Sequence, residues 1–313
     1  MARRLRFIPD GGALVEVTCR TVQGRFLLKP TKMLRPIVIG VLARAQRLSP
    51  VKLHAFVFLS NHYHLLLSVE SALQLATFMN YVNSNLAREA GRLFGWKEKF
   101  WGRRYQAIVV SEEDAVQIER FRYLLSHGCK EGLVARPRDW PGAQSVKALT
   151  EGQRLRGLWF DRTREYAARM RGKSPPLRGY ANREVLHLER LPCWRHLSEV
   201  SYSRRVSELV KQIEAQTAAR HARDGSRPLG TKTIVSQDPH HRPEKLKKAG
   251  APAFHAATKT ARKELVEAYG CFFAAYRDAA DRLLSGDSDA SFPEGSFPPR
   301  LPFVGWSPDL VPG

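Results

Sequence analysis

Four side chains in this sequence have types and spacing that could do chemistry. His62-Tyr63-His64 lies inside the apolar run Leu53–Leu67. On a strand, residues two apart share a face. His62, His64, Leu66 and Ser68 therefore share one face, and Tyr63, Leu65, Leu67 and Val69 form the other, which is core. Two imidazoles projecting side by side suit a divalent cation that takes neutral nitrogen ligands. The plainer alternative is two partly exposed histidines with no ligand. Tyr123 and His127 form the second pair. They stand four residues apart on a predicted helix, so their side chains are neighbours. At about 100° per residue, Ile118, Phe121, Leu125 and Cys129 fall in one stripe, and Tyr123 and His127 point away from it. Such a tyrosine is either a surface aromatic or a reagent. A phenol becomes a competent nucleophile when a metal withdraws charge from the phosphate it attacks. His127 could complete a ligand set with His62 and His64, and Arg120 or Lys130 could support the phenolate or the phosphate.

The elements that must position these groups follow from periodicity and punctuation. Residues 13–20 read as a strand and 31–48 as a helix stopped by Ser49-Pro50. Residues 51–59 and 62–69 are two strands joined at Ser60-Asn61. A helix spans 71–94 and ends at Gly95. Residues 104–110 form another strand. Ser111-Glu112-Glu113-Asp114 looks like an N-cap with acids in the first turn of a helix reaching 127–131. The resulting β-α-β-β-α-β order predicts an α+β fold: a ferredoxin-like antiparallel sheet with packed helices, followed by a mainly helical C-terminal extension. The expected organisation is a catalytic domain over 1–148, a helical extension over 149–223, a basic linker over 224–256, a long helix over 257–285 and an irregular tail over 286–313. Within the extension, residues 157–171 and 195–222 read as helices.

Composition narrows the partner. The 313 residues carry 51 Lys and Arg against 30 Asp and Glu, a net charge of +21. Basic surface on this scale is the electrostatic footprint of a polyanion. Both halves of the chain share the excess. Cys19, Cys129, Cys193 and Cys271 include no CxxC pair, which argues against a thiolate zinc site. The segment Met1-Ala2-Arg3-Arg4-Leu5-Arg6 lacks the apolar stretch of a secretory signal. No run of 18 apolar residues exists, so no membrane span is expected and a cytoplasmic protein is the default.

Several segments resemble the single-tyrosine transposases of the HUH type, in order and at the family's separations over about residues 10–145. Leu53-His54-Ala55-Phe56-Val57-Phe58-Leu59-Ser60-Asn61-His62-Tyr63-His64-Leu65-Leu66-Leu67 resembles the HUH region, an apolar strand followed by N-H-x-H and an apolar run. Arg20-Thr21-Val22-Gln23-Gly24-Arg25-Phe26 resembles the end of the family's first strand. Trp101-Gly102-Arg103-Arg104-Tyr105 resembles the strand before its catalytic helix. Tyr123-Leu124-Leu125-Ser126-His127-Gly128-Cys129-Lys130-Glu131-Gly132-Leu133-Val134 is similar to the tyrosine helix of the REP-associated branch, Y-I-H-x-N-P-V-x-x-G-L-V, and Asp139-Trp140-Pro141 also fits that branch.

The resemblance implies a metal-dependent DNA transposase that cleaves and rejoins single-stranded hairpin DNA. Tyr123 would be the nucleophile, forming a 5′-phosphotyrosine and freeing a 3′-OH that later attacks a phosphotyrosine. Mg or Mn would sit on His62, His64 and His127, and no nucleotide cofactor would be needed. The partner would be DNA with single-stranded hairpin ends, bound by a monomer or homodimer. Where the branch has Asn-Pro, this chain has His127-Gly128. A third imidazole tilts preference toward Mn, and loss of proline lets the helix continue toward Glu131. A rival reading is a non-cleaving nucleic-acid-binding protein on the same fold. Trp101, Arg103, Arg104 and Tyr105 could stack on and clamp unpaired bases, or serve as sheet packing and surface charge. His54 reads as structural, Cys129 as packing, and His240-His241 as solvated. Residues 195–285, with Arg204, Arg205, Lys211, Lys259, Arg262 and Lys263, are expected to pack beside the catalytic domain and extend its DNA contact.

Overall fold

A computed structural model describes residues 5–172, 176–244 and 252–299. Its first part follows the expected order: β1 (Ala13–Arg20), α1 (Leu34–Leu48), β2 (Lys52–Phe58), β3 (His62–Val69), α2 (Ala72–Phe94), β4 (Gln106–Val110) and α3 (Asp114–Lys130). The four strands lie side by side as β2-β3-β1-β4, each pair antiparallel. This is the ferredoxin-like arrangement.

Alternation along each strand feeds two cores. Val15, Val17, Phe56, Phe58, Tyr63, Leu65 and Leu67 face α1 and α2. Leu14, Val57, Leu66 and Val110 face α3. Ser71 caps α2 by accepting from the Gln74 backbone N–H, and Gly95 ends it in the left-handed conformation at φ 67°. A register shift in β2 between Leu53 and Ala55 turns His54 inward. Its imidazole lies between the Glu189 carbonyl and the Ser68 hydroxyl, and burial pulls its pKa down to about 4. This histidine is structural.

The remaining elements are α4 (Val146–Glu151), β5 (Leu155–Phe160), α5 (Arg162–Met170), β6 (Ala181–Leu186), α6 (Glu199–Arg223), α7 (Thr231–Ser236), β7 (Phe254–His255) and α8 (Lys259–Leu284). Three expectations need correction. The helix expected over 157–171 is a strand followed by a shorter helix, and β5 pairs with β6 in a hairpin. The reason is a close approach of backbones. A Cβ on Gly157 would lie 2.0 Å from the Gly40 nitrogen of α1, and one on Gly40 would lie 2.2 Å from the Leu158 carbonyl oxygen. The basic linker expected over 224–256 contains α7 and also β7, which adds a fifth strand in parallel beside β4. Ser111 and Glu113 are used differently from a helix cap. Glu113 occupies the cap position without a cap bond, and its carboxylate accepts from the Ser111 hydroxyl and from the backbone N–H groups of Ala257 and Thr258. It thereby ties the start of α8 to the sheet. The tail has no helix or strand from 286 to 299, and its expected continuation to 313 lies outside the described residues.

Gly157→Ala should therefore destabilise the protein by about 3 kcal/mol, because neither backbone can yield. Gly270→Ala is the control. It lies in α8 with open space around it, so alanine should stabilise by roughly 0.5–1 kcal/mol. Urea denaturation midpoints of the two variants should move in opposite directions.

Candidate metal centre and nucleophile

The β2–β3 turn and the middle of β1 build the site. Asn61 is held by donating its side-chain amide to the Gly24 carbonyl, and its own carbonyl accepts from the Thr21 N–H and hydroxyl. Its Oδ1 lies 2.6 Å from His62 Nδ1. An amide oxygen only accepts, so it fixes the proton on Nδ1 and leaves the lone pair on Nε2. Glu16 does the same for His64, with Oε1 2.8 Å from Nδ1. Glu16 is 3% exposed, in the centre of the sheet. Arg120 reaches it from α3 at 3.5 Å, and His255 Nε2 lies 3.1 Å from it on β7. Burial pushes the Glu16 carboxyl up, but the contacts from His255 and His64 outweigh it and hold it well below the usual carboxylate range.

His127 joins from α3. Its ring centroid lies 5.0 Å from that of His62 and 4.5 Å from that of His64. One ligand nitrogen from each of the three imidazoles lies within 4.8 Å of the others. Burial lowers the pKa of His62 and of His127, and the neighbouring positive groups add to it. Both are neutral at pH 7, as ligands must be. His62 Nε2 and His127 Nε2 face each other at 2.8 Å, while the buried His127 Nδ1 has no partner among the described residues. Two basic nitrogens aimed at each other need a shared proton or a cation between them. Three imidazole nitrogens converging this closely are compatible with a divalent metal.

His127 is 2% exposed, which corrects its expected place off the core stripe of α3. The helix is buried on two sides, against the sheet and against α6. Gly128 faces the segment that follows α3: a Cβ there would come within 3.2 Å of Val134 and 3.7 Å of Trp140. With no proline after His127, α3 runs on to Lys130.

Tyr123 is half-buried beside this cluster. Its ring centroid lies 5.0 Å from His127 and 5.4 Å from His64. The Arg120 guanidinium carbon stands 4.7 Å and Lys130 Nζ 4.3 Å from the same centroid. Partial burial and then the Glu16 charge push the phenol's pKa up, opposed by Arg120, so it is protonated at neutral pH. Its hydroxyl bonds to none of the described residues, which leaves the oxygen free to meet a ligand.

This places a tyrosine, three imidazoles and two cations at one end of a ferredoxin-like sheet. Residues 30–123 match the transposase family described as IS200 like. The match includes His62 and His64 and ends on Tyr123, four residues before His127. A solved structure of a REP-associated tyrosine transposase bound to a REP hairpin is similar at 15% identity, over 46% of this chain and 82% of that one, with a TM-score of 0.39. A Deinococcus radiodurans R1 protein provisionally described as a transposase is similar at 17% identity, over 39% of this chain and 95% of its own, with a TM-score of 0.28. No curated protein matches the chain.

Around the IS200-like segment, the expected DNA-contacting residues separate. Arg120 and Lys130 flank Tyr123. Arg103 and Arg104 are exposed on the loop before β4. Trp101 is partly buried: its Nε1 donates to the Asn83 carbonyl, and its ring packs edge-on against Tyr63 and Phe100, the sheet-packing arrangement that is the alternative to base stacking. His240 and His241 are exposed but engaged, through the Phe94 carbonyl, Trp96 and Phe26. Asn61 and Glu16 were missed by sequence reasoning. Glu16 had a signal, since it is the one acid inside the apolar strand Ala-Leu-Val-Glu-Val-Thr-Cys. Among the described residues no helix is long and apolar enough to cross a membrane.

Proposed function

We propose that the chain is a transposase that cleaves and rejoins single-stranded DNA, with Tyr123 as nucleophile and a divalent metal on His62, His64 and His127. One observation carries this reading: the Tyr123 ring packs directly on two of three imidazoles whose ligand nitrogens converge. A metal bound there would polarise the scissile phosphate and orient it. The chain's own groups supply the rest. Asn61 and Glu16 hold the His62 and His64 rings in the one tautomer that presents Nε2. Arg120 and Lys130, beside the phenol, favour its anionic form as the proton leaves and offer charge to a phosphate in front of it. The Tyr123 oxygen attacks phosphorus, the bond to the preceding 3′ oxygen breaks, and that oxygen departs as a 3′-OH. The 5′ phosphate stays on Tyr123, so the bond energy is retained for rejoining and no nucleotide cofactor is consumed.

The net charge of +21 suits a DNA partner. The test is cleavage of end-labelled single-stranded hairpin oligonucleotides taken from the flanks of the gene. Nicking that requires Mn or Mg and stops with chelator supports the reading. Salt-dependent binding with no cleavage under any metal would instead make the chain a binding protein.

A further inference from the structure

Tyr123 also forms one wall of a groove of about 340 Å³ between α3 and α6. Helix α6 lies outside the IS200-like segment, so the C-terminal extension supplies the second wall of this groove. Four cations line it: Arg120, Arg122, Lys130 and Arg220, against one acid, Glu119. Glu119 is spent on Arg120. Arg122, Lys130 and Arg220 form no salt bridge among the described residues, although Arg220 lies within electrostatic reach of Asp224 at the end of α6. Their hydrogen bonds are to neutral groups. Arg122 donates to the Gln216 side-chain carbonyl across the groove, and Arg220 donates to the backbone carbonyls of Lys130 and Cys129. The Arg220 bonds hold one cation in place on the α6 side and satisfy the last carbonyls of α3. Four cations against one acid leave the groove with a net positive charge, and an anion there relieves their mutual repulsion.

We propose that the α3–α6 groove binds the phosphodiester backbone of unpaired DNA on the 3′ side of the cleaved bond. This rests on the function proposed above. The volume is at the low end of pockets that enclose a small organic ligand, so the groove admits nucleotides of a single strand and not a duplex. Its position sets the polarity. The strand that stays on the protein is the one whose 5′ phosphate is joined to the Tyr123 oxygen, and it must leave along the surface that begins at Tyr123. The groove is that surface. Its contacts are to phosphates and carry no base information, so it holds the strand in register whatever its sequence. It would also retain the attached strand until a 3′-OH arrives to rejoin it.

The test uses the full chain with chelator present, so that binding is read without cleavage. Two fluorescent probes are compared: a hairpin with a single-stranded 3′ extension, and the same hairpin without it. Gln216→Glu is the main variant, because position 216 is exposed and the new carboxylate gives Arg122 a partner within the groove. Arg122→Gln is the second, removing the cation from the opposite wall. Each should weaken binding of the extended probe about tenfold at low salt, reduce its salt slope by about one, and leave the plain hairpin unchanged. Equal effects on both probes, or none on either, would overturn the groove assignment while leaving cleavage by the wild-type protein to stand. Wild-type protein that neither binds nor cleaves either probe would overturn the proposed function itself and the groove with it.

Discussion

Tyr123→Phe is expected to lower DNA cleavage by at least about 10³-fold while leaving DNA affinity within about twofold and stability within about 0.5 kcal/mol. The separation comes from the geometry. The ring packs on His64 and His127 and lies between Arg120 and Lys130, and phenylalanine keeps those contacts. Only the oxygen is lost, and no described residue is bonded to it. Cleavage rates, hairpin affinity and denaturation midpoints measured on one preparation separate the three quantities. A phenylalanine variant that cuts at the wild-type rate would remove Tyr123 from the chemistry.

The second large effect belongs to the imidazoles. His62→Ala and His64→Ala should each reduce metal-supported cleavage by more than about 10²-fold. Glu16→Gln, which weakens the grip on the His64 tautomer, should lower metal affinity by roughly 10–100-fold. His127 separates two properties. His127→Asn trades an imidazole for a harder oxygen ligand, so it should stay active and shift from Mn toward Mg. His127→Ala removes the ligand and also opens a cavity beneath α3, since the residue is buried. It should lose about 2 kcal/mol of stability and recover part of its activity at high metal concentration through His62 and His64. Titrations of Mn and Mg against cleavage check this. Identical metal dependence in wild type and both His127 variants would take His127 out of the site.

Much of the site was legible because it rests on local periodicity. A strand has to put His62 and His64 on one face, and a helix has to set Tyr123 beside His127. The β-α-β-β-α-β order and its strand boundaries follow from the same alternation and from Ser-Pro and Gly stops. What was not legible depends on contacts between distant segments. Glu16 supports His64 only because β1 pairs with β3. His255 reaches Glu16 only because residues 254–255 add an edge strand beside β4. His127 was read as off the core because a single apolar stripe allows α3 one buried face, whereas the sheet and α6 bury two. Residues 157–171 look helical by composition. They are strand and helix because Gly157 lets two backbones meet, a requirement of α1 and not of the segment itself.

The most direct test of the account is the covalent adduct. Protein incubated with Mn and a single-stranded hairpin oligonucleotide, then denatured and digested, should yield one nucleotide-bearing peptide. Mass spectrometry should place the phosphate on Tyr123, joined to the 5′ end of the strand released on the 3′ side of the cut. The Tyr123→Phe protein should give no such peptide. An adduct on another residue, or cleavage that leaves no protein-linked strand, would contradict a phosphotyrosine mechanism at this site.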